Sequence, residues 1–470
     1  MPVTSTAVDL DRPSVIHIVN VAGKAMSAMA EILLAMGHTV SGYDPKELPV
    51  LNRLRALGVT ITTGEDFVLP PQVELVGYST ATPLNHPILD EARRRGIPMI
   101  ARPALQGAIA HTRRTIAVSG THGKTTTTAM LVHILLATNQ NPSYIVGGDF
   151  GRDIGGVAWS DGEWLIIEAD ESDGTFLGLG AEHVVVTNVD DDHLDFYGSR
   201  QALKEAFATF ISNAPGTKIV GTNSDTAREL VQNLAVLSFG TRSDAEARIE
   251  NLRPSGASIS FELAMPDRQV VPVTIPEPGL HNALNATAAI LAAGVVGVDP
   301  ADAARALVTY PGVSRRFERK GTVGGIEVVD DYAHNPGKVQ AVVEAAAQGD
   351  WRRVVVVFQP HRYSRTADLG HEFGPSFAAA DVVVVTAIDP AGEPVREGIT
   401  GALVVDAIQN SNPQVEVYSV EEPGNVLPTV MGILRPGDVC LTLGAGSITY
   451  FGDELLASLE AETPRQLHHG

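Results

Sequence analysis

Short apolar runs alternate with segments of helical periodicity along almost the whole chain. In a first block, apolar or β-branched runs of strand character occupy residues 15–19, 39–42, 73–78 and 99–100. Between them, residues 26–36 and 88–95 carry apolar side chains at helical spacing. Strands that alternate with helices are typical of βαβ units, whose strands lie parallel in one sheet.

The same alternation returns twice further along the chain. The second block has strand-like runs at residues 115–119, 164–168 and 183–189. Its helical patterns occupy residues 125–136, 199–211, 283–293 and 300–307. A β-rich insert at about residues 248–275 interrupts this block. The third block has strand-like runs at residues 326–329, 354–358, 382–386 and 439–442, with helical patterns at 336–347 and 376–380.

These patterns predict three consecutive α/β domains with mostly parallel sheets. A chain of 470 residues is too long for one compact core, which supports a division into domains. We predict an N-terminal domain at residues 1–111, a central domain at residues 112–312 that contains the β-rich insert, and a C-terminal domain at residues 313–470.

Composition and charge narrow the classes of partner. The formal net charge of −21 argues against nucleic acid, because phosphate backbones are bound by clustered Lys and Arg. No apolar run approaches the roughly 20 residues that cross a bilayer, and residues 1–13 have no signal-peptide pattern. The single cysteine, Cys440, excludes an internal disulfide and suits a reducing compartment. We therefore expect a cytoplasmic protein whose partners are small molecules.

A glycine-rich turn, SGTHGKTTTT, joins a predicted strand to a predicted helix. Gly120 and Gly123 allow a tight turn whose N–H groups point inward, and the helix N-terminus adds partial positive charge. Lys124 can reach the β- and γ-phosphates of a nucleotide, and the Thr125 hydroxyl can bind Mg²⁺. Val118 stands where the strict P-loop pattern has its first glycine. The alternative, an ordinary Gly-Lys turn, leaves the strand, the helix and the threonine run unexplained.

Two acidic segments follow neighbouring strand-like runs. EADESD begins at Glu168, and NVDDDH ends at His193. In open α/β sheets, ligands bind beyond the carboxyl ends of the strands. Clustered carboxylates need an opposing charge, and Mg²⁺ is a suitable hard cation. The first segment alone is equally compatible with a solvated acidic turn, and a lone histidine is more often structural than a ligand.

Two polar segments follow strand-like runs in the third block. DDYAHNP begins at Asp330 and stops at a proline that starts a helix. QPHRYSRT follows the apolar run 354–358 and offers one histidine and two arginines to an anionic ligand. Each segment alone is compatible with a polar loop, but their repeated placement at strand ends favours function.

Taken together, these segments resemble the Mur ligase family over nearly the whole chain. The matching segments, in the family's order and at compatible separations, are GTHGKTTTT, EADESDGTF, VTNVDDDHLDFYGS, LHNALNA, RRFE, DDYAHNP and FQPHRYSRT. The resemblance implies a Rossmann-like N-terminal domain for the UDP part of a substrate, a P-loop-type central ATPase domain and a Rossmann-like C-terminal domain for an amino acid.

The resemblance also implies roles for individual residues. It assigns ATP binding to Gly120, Thr121, His122, Gly123, Lys124, Thr125, Thr126, His281, Asn282, Asn285, Arg316 and Asp330. It assigns Mg²⁺ binding to Thr125, Glu168 and His193. It assigns substrate binding to Gly23, Ser79, Tyr332, His361, Arg362 and Arg365. It assigns catalytic roles to Lys124, Glu168, His193 and His334.

The similarity is greatest to the branch that joins L-alanine to the carboxylate of UDP-N-acetylmuramate during peptidoglycan precursor synthesis. Related branches carry a carbamylated lysine in the helix after the Asp-His motif. Residues 202–210 lack a lysine at that position, because Lys204 lies too early. The implied reaction consumes ATP with Mg²⁺ and passes through an acyl phosphate. A monomer or weak homodimer is expected.

The first glycine-rich loop departs from the family's pattern. Family members read His-x-x-Gly-x-Gly-Gly-x-Gly-Met-Ser, whereas this chain reads HIVNVAGKAMS, with Asn20, Ala22 and Ala25 at three glycine positions. A Cβ there can block close approach of the backbone to a pyrophosphate. Asn335 also replaces a histidine of the DDYAHHP motif. These changes leave the ATP chemistry intact and leave open an amide ligase with another carboxylate acceptor. Two further alternatives do not depend on them: a degraded homologue that binds nucleotide as a sensor or partner scaffold, and a plain P-loop NTPase.

Overall fold

The computed structural model describes residues 9–65, 67–150, 155–190, 192–255 and 258–462. Residues 1–8, which bear on the expected lack of a signal peptide, and Asp191 of the second acidic segment lie outside this part of the chain. Over the described residues the strands form three sheets. None of the described helices is long and apolar enough to cross a bilayer.

The chain divides into two compact units. The first comprises Met1–Glu250, Leu263–Val271 and Leu284–Leu307. The second comprises Asn251–Glu262, Pro272–Ala283 and Val308–Gly470.

The first sheet contains five described strands in the order β3-β2-β1-β4-β5, and their pairings are parallel. The strands are β1 (Val15–Val19), β2 (Thr39–Asp44), β3 (Thr60–Thr63), β4 (Leu75–Tyr78) and β5 (Met99–Ala101). The helices are α1 (Lys24–Ala35), α2 (Pro49–Leu57), α3 (Pro87–Arg94) and α4 (Arg102–Ala110). Alternation along β1 places Ile16 and Ile18 in one hydrophobic cluster and Val19 in another, so both faces of the sheet are covered.

The second sheet contains ten strands within the described segments, in the order β15-β14-β13-β12-β11-β10-β6-β9-β7-β8. Its first strands are β6 (Arg114–Ser119), β7 (Ser143–Ile145), β8 (Val157–Ala158), β9 (Trp164–Glu168) and β10 (His183–Val186). Its last strands are β11 (Lys218–Gly221), β12 (Leu237–Gly240), β13 (Ala247–Ser255), β14 (Ser258–Ala264) and β15 (Val270–Ile275). The predicted β-rich insert therefore extends one edge of this sheet.

Helices accompany the second sheet. They are α5 (Lys124–Ala137), α6 (Leu194–Tyr197), α7 (Arg200–Asn213), α8 (Asp225–Val231), α9 (Leu280–Val295) and α10 (Pro300–Leu307), with a 3₁₀ helix at Thr175–Gly178. Strands β6, β7 and β9 to β13 pair in parallel, as predicted from the alternation of strands with helices. Strand β8 pairs antiparallel with β7.

The third sheet contains six described strands in the order β16-β17-β21-β18-β19-β20. They are β16 (Glu318–Val323), β17 (Ile326–Asp331), β18 (Arg353–Phe358), β19 (Val382–Thr386), β20 (Glu416–Val420) and β21 (Asp438–Leu443). The helices are α11 (Pro336–Ala347), α12 (Tyr363–Leu369), α13 (Ala402–Ser411), α14 (Val426–Ile433) and α15 (Phe451–Glu462). Only β16 pairs antiparallel in this described sheet, as the partner of β17.

One predicted helix is wrong. Residues 376–380 were expected to be α-helical, but the structure has a 3₁₀ helix at Gly370–Phe377 and a turn after it. Pro375 lies inside this segment and has no N–H for an α-helical hydrogen bond. The backbone N–H groups of Ala378 and Ala380 instead donate to carbonyls three residues earlier, at Pro375 and Phe377.

The strand order of the second sheet brings three loops together. β6 lies between β9 and β10 and pairs in parallel with both. The carboxyl ends of parallel neighbours meet at the same edge of a sheet. The loop at residues 120–123, the turn that follows Glu168 and the segment that follows Val186 therefore all begin at one edge.

Helix α4 holds the turn after β9 in place. The Arg102 guanidinium forms an ion pair with Asp173 and donates to the Thr175 hydroxyl at 3.0 Å. Further along α4, Gly107 faces the carbonyl of Gly178, and a Cβ built on Gly107 would lie 2.5 Å from that oxygen. The first unit thus packs α4 against the 3₁₀ helix through a contact that only glycine permits.

We expect Gly107→Ala to destabilise the first unit by about 1–3 kcal/mol, because overpacking forces neighbouring backbone to move. Gly178→Ala is the matched control, since a Cβ on Gly178 meets no atom within 4 Å. Thermal unfolding of both variants beside the unchanged chain measures the effect. Equal melting temperatures for the two variants would contradict this packing.

Candidate active site

The loop between β6 and α5 is a tight turn that requires glycine at two positions. Gly120 has φ 131° and Gly123 has φ 80°, both in the left-handed region. A Cβ on Gly120 would lie 2.1 Å from the Thr187 hydroxyl, and one on Gly123 would lie 2.3 Å from Asn285 Oδ1. The loop therefore packs against the segment after β10 and the start of α9 with no room for a side chain.

The segment after β10 fixes the shape of this loop through hydrogen bonds. Asn188 Oδ1 accepts from the His122 N–H at 2.9 Å, and Asn188 Nδ2 donates to the His122 carbonyl at 2.9 Å. The Thr187 hydroxyl donates to the same carbonyl at 2.5 Å. The Asp190 N–H donates to the buried Thr121 hydroxyl at 2.9 Å. Thr187, Asn188 and Asp190 are scaffold residues that the sequence did not single out, although all three lie in the VTNVDDDH segment.

The first turn of α5 meets the end of β9. The Thr125 hydroxyl donates to Glu168 Oε1 at 3.1 Å, and Glu168 Oε2 accepts from the Gly147 N–H at 2.7 Å. Thr126 is buried beside Thr125. Two residues further, the Thr127 hydroxyl donates to Asn285 Oδ1 at 3.2 Å, which ties α5 to α9. The structure therefore brings together three residues that the sequence predicted for one site, namely Thr125, Glu168 and Asn285.

Lys124 is turned back over the loop. Its ammonium donates to the Gly120 carbonyl at 2.7 Å and to Glu171 Oε1 at 2.7 Å. Glu171 is only 1 % exposed. Burial raises the pKa of the Glu171 carboxyl, and the Lys124 ammonium opposes that rise. Glu171 is a further site residue; its only signal in the sequence was membership of the EADESD segment.

His193 lies beside the same carboxylate. Its backbone has φ 55° and starts the short helix α6. Its Nε2 lies 3.7 Å from Glu171 Oε1 and 3.7 Å from Asp192 Oδ2. The Tyr197 hydroxyl donates to the Glu171 carbonyl, so α6 is anchored to the acidic turn. Among the described contacts, the EADESD and NVDDDH segments therefore meet at Glu171. Glu168 instead bonds Thr125 and Gly147.

The metal-binding oxygen atoms at this edge of the second sheet suit the coordination that Mg²⁺ usually has when it is bound with a nucleotide. Thr125 and Glu168 offer adjacent hard oxygen atoms. No group of three or more His, Cys, Asp or Glu side chains in the described part of the chain is arranged to hold a metal alone. Mg²⁺ commonly takes one or two carboxylates and completes its octahedron with water and substrate phosphates, so the sparse donor set is compatible with it.

His281 and Asn282 lie in the first turn of α9, in the second unit. Desolvation lowers the pKa of the His281 imidazole to about 4, so this ring is neutral at pH 7. The ring packs on Gly279, where a Cβ would lie 2.7 Å from it. Asn282 Nδ2 donates to the Pro278 carbonyl at 2.8 Å. These two predicted residues are thus part of a local turn that begins the helix.

Asp330 lies one residue before the end of β17 and is paired with Arg315, the neighbour of the predicted nucleotide-binding residue Arg316. Its carboxylate accepts from Arg315 Nε at 3.2 Å and from the Thr442 hydroxyl at 2.6 Å. The Arg315 backbone has φ 62°, which turns its side chain to this carboxylate and to the Gly444 carbonyl. Both guanidinium groups also lie over the Tyr332 ring, with Arg315 at 4.9 Å and Arg316 at 5.6 Å from its centre. Sequence spacing alone did not distinguish the two neighbouring arginines.

The predicted amino-acid and substrate residues of the second unit form one cluster. The Tyr332 and His334 rings are 5.0 Å apart, and the His334 and His361 rings are 5.9 Å apart. His334 Nδ1 donates to the Tyr332 carbonyl at 2.7 Å, and desolvation lowers the pKa of its imidazole to about 3. Arg365 donates to His361 Nδ1 at 3.3 Å. Arg362, with φ 72°, begins α12 and donates its N–H to the Asp389 carbonyl.

The altered loop of the first sheet keeps a compact turn without its glycines. Asn20 has φ 58°, a left-handed conformation that asparagine tolerates, and its side chain donates to the Thr82 hydroxyl at 2.8 Å. The Ala22 N–H donates to Asp44 Oδ2 at 3.0 Å. Gly23 donates its N–H to the Asn20 carbonyl and precedes α1. Asn20 therefore replaces a glycine without loss of the turn.

Ser79 lies after β4, on a turn that continues to Thr82. The Thr82 N–H donates to the Ser79 carbonyl at 2.9 Å, and the Ala81 N–H donates to the Ser79 hydroxyl at 3.3 Å. Because Thr82 also accepts from Asn20, the predicted residues Gly23 and Ser79 belong to two loops that contact each other.

Family models match three successive parts of the chain. The Mur ligase family catalytic domain matches residues 15–114, the Mur ligase middle domain residues 118–293 and the Mur ligase glutamate ligase domain residues 315–446.

Similar proteins match over almost their full lengths. The chain is 42% identical over 455 residues to the UDP-N-acetylmuramate–L-alanine ligase of Rubrobacter xylanophilus, covering 94% of this chain and 100% of that protein. It is 38% identical over 455 residues to the ligase of the same name from Anaeromyxobacter sp., covering 96% and 99%.

A solved structure of a ligase with a similar name has the same fold. The UDP-N-acetylmuramate–alanine ligase of Thermotoga maritima superposes with a TM-score of 0.79 at 27% identity, covering 95% of this chain and 99% of that one. The three model matches, the identities and the shared architecture lead to one conclusion: the chain belongs to the Mur ligase family.

Proposed function

We propose that this protein is an ATP- and Mg²⁺-dependent ligase that joins L-alanine to the carboxylate of UDP-N-acetylmuramate in peptidoglycan precursor synthesis. The observation that carries the proposal is the match to ligases of that name, at 36–42% identity across 92–96% of this chain. The site at the edge of the second sheet supports it, because its residues suit phosphoryl transfer. The cytoplasmic location and the domain boundaries at residues 111 and 312 stay predictions.

The loop at residues 120–126 would bind the phosphates of ATP. Its backbone N–H groups and the N-terminus of α5 attract an anion, although the chain as a whole carries a charge of −21. Lys124 would exchange its contact with Glu171 for the β- and γ-phosphates. His281, Asn282 and Asn285 would bind the adenosine, and Arg316 and Asp330 would complete the nucleotide contacts. Arg315 holds Asp330 in position for this role.

Thr125 and Glu168 would hold Mg²⁺, and His193 would serve a second ion. When bound, these ions would neutralise negative charge on the transferred phosphoryl group. The Gly147 N–H fixes one oxygen of the Glu168 carboxylate, which leaves the oxygen beside Thr125 as the donor to a cation. Lys124 adds a charge that acts on the same phosphoryl group.

The chemistry proceeds in two steps. The carboxylate of UDP-N-acetylmuramate attacks the γ-phosphorus of ATP, an acyl phosphate forms and ADP leaves. The amine of L-alanine then attacks the acyl carbon, and inorganic phosphate leaves with the C–O bond electrons while the amine loses a proton. Alanine would be positioned by Tyr332 and His334. The muramyl substrate would be contacted by His361, Arg362, Arg365, Gly23 and Ser79.

The acceptor is proposed to be the usual one despite the altered first loop. Asn20 takes the left-handed backbone that the family's glycine would take, and the turn is closed by Gly23. The Rubrobacter and Anaeromyxobacter relatives match along the chain, including this domain. An acceptor other than UDP-N-acetylmuramate has no further support in the structure.

We expect phosphate release from ATP and Mg²⁺ to require both L-alanine and UDP-N-acetylmuramate, with a ligated product visible by mass spectrometry. Lys124→Ala should lower turnover by at least about 100-fold, because a charge that acts on the transferred group is lost. Lys204→Ala is the matched control, since Lys204 on α7 pairs with the exposed Glu229 on α8. Near-normal turnover of Lys124→Ala would refute the mechanism, and ATP binding without release would point to another acceptor.

The His334 imidazole should not titrate in the working pH range. Its pKa is lowered to about 3, below the ordinary value of 6.5, so it stays neutral down to acidic pH. His334→Gln should therefore lower kcat/KM for L-alanine at every pH from 5 to 9 without moving the acidic limb of the profile. Loss of that limb in the variant would show that His334 titrates there.

A further inference from the structure

The Glu171 carboxylate has two oxygens in different surroundings. Oε1 accepts from the Lys124 ammonium at 2.7 Å. Oε2 is buried and has no hydrogen-bond partner among the described residues. A buried charged oxygen without a partner is costly, and such an atom at a functional site commonly awaits an ion or a ligand.

The Lys124 ammonium cannot pair with Glu171 and bind the phosphates of a nucleotide at the same time. Its ammonium now bonds Glu171 and the Gly120 carbonyl, inside the loop. If Lys124 moves to the phosphates, as the proposed function requires, Glu171 keeps a buried negative charge without its cation. Removing one partner of a buried ion pair is strongly destabilising, because it leaves a buried charge uncompensated. A replacement cation would restore the pairing at the moment of nucleotide binding.

The surroundings of Glu171 favour a metal ion as that replacement. His193 Nε2 lies 3.7 Å from Glu171 Oε1, a separation that leaves room for a shared ion after a small shift. The Asp192 carboxylate also lies 3.7 Å from the same imidazole nitrogen. Carboxylate oxygens and imidazole nitrogens are common ligands of divalent cations.

We propose that Glu171 is a shared counter-ion: it pairs with Lys124 while Lys124 is turned back over the loop, and it receives a divalent cation beside His193 once Lys124 has moved to the phosphates. Glu171 is thus a positioning residue for Lys124 and a ligand of the incoming cation. The inference rests on the proposed ATP-dependent function and adds a residue to it. The exchange keeps the buried carboxylate paired in both states and couples cation binding to nucleotide binding.

The test measures binding of the non-hydrolysable analogue adenylyl imidodiphosphate by calorimetry, once in EDTA and once in Mg²⁺. In Glu171→Gln, the affinity in EDTA should rise about 3- to 10-fold, because Lys124 is no longer held away. The gain in affinity on adding Mg²⁺ should fall at least 10-fold relative to the unchanged protein. An unchanged gain would overturn the proposal.

Asp170→Asn is the matched control for the general electrostatic field of the acidic turn. It removes one charge from the same turn, and the asparagine oxygen can still accept from the Ser172 N–H, as Asp170 does. Its Mg²⁺-dependent gain should equal that of the unchanged protein. A fall as large as in Glu171→Gln would mean that charge alone, not direct binding, explains the effect, and would overturn the proposal.

A second measurement uses the unchanged protein and does not depend on a variant that folds. A crystal structure with the same analogue and Mn²⁺ should show an anomalous peak within bonding distance of Glu171, with Lys124 on the phosphates. Lys124 still bonded to Glu171 in that complex would overturn the proposal. If the unchanged protein does not bind the nucleotide at all, the proposed function itself fails, which separates the two outcomes.

Discussion

The position of β6 between β9 and β10 is the constraint on which the candidate site depends. Parallel pairing on both sides brings the glycine turn, the acidic turn and the Asn188 segment to one edge of the sheet. Hydrogen bonds from Thr187 and Asn188 then fix the turn, and Gly120 and Gly123 let it pack without a Cβ. The residues proposed for phosphate and metal binding come from three separate segments, so no single loop could form the candidate site.

Charge balance explains why an acidic protein can attract an anionic substrate. The net charge of −21 opposes any long-range attraction of a nucleotide. Within the first unit, local groups must therefore attract the nucleotide phosphates. These groups are the N-terminus of α5, the backbone N–H groups of the loop and Lys124. In the structure Lys124 is paired with a buried carboxylate, so the loop does not carry an uncompensated positive charge. The same pair creates the need for a second cation when a nucleotide binds.

Several residues of the candidate site have a left-handed backbone conformation, which sets the direction of their side chains. Asn20, His193, Arg315 and Arg362 all have positive φ. Such conformations cost free energy in residues other than glycine and tend to persist where the surrounding structure requires them. In the second unit, the turn at Arg315 gives Asp330 its partner, and the turn at Arg362 begins the helix that carries Arg365.

The sequence alone was sufficient for the alternation of strands and helices, the parallel α/β class, the glycine turn between a strand and a helix, and the family. These features are local, or they repeat at fixed spacing, and are therefore readable along the chain. The β-rich insert was also evident, but the pairing of its strands with the second sheet was not, because strand order depends on pairing between distant segments. The α-helix expected at residues 376–380 is wrong, because the chain there forms a 3₁₀ helix that contains Pro375 and ends at Phe377.

Only the tertiary structure decided which acidic residue faces Lys124 and which arginine pairs with Asp330. Glu168 and Glu171 are three residues apart in one acidic segment, yet one bonds Thr125 and the other bonds Lys124. That difference arises where β9 ends beside β6 and the chain turns, and composition carries no information about the direction of each side chain. Arg315 and Arg316 are likewise adjacent and chemically identical, and both lie over the Tyr332 ring, yet Arg315, with its positive φ, is the one that bonds Asp330. The sequence determined the chemical groups that are present, and folding determined which of them meet, because contacts between distant segments depend on strand order and backbone direction.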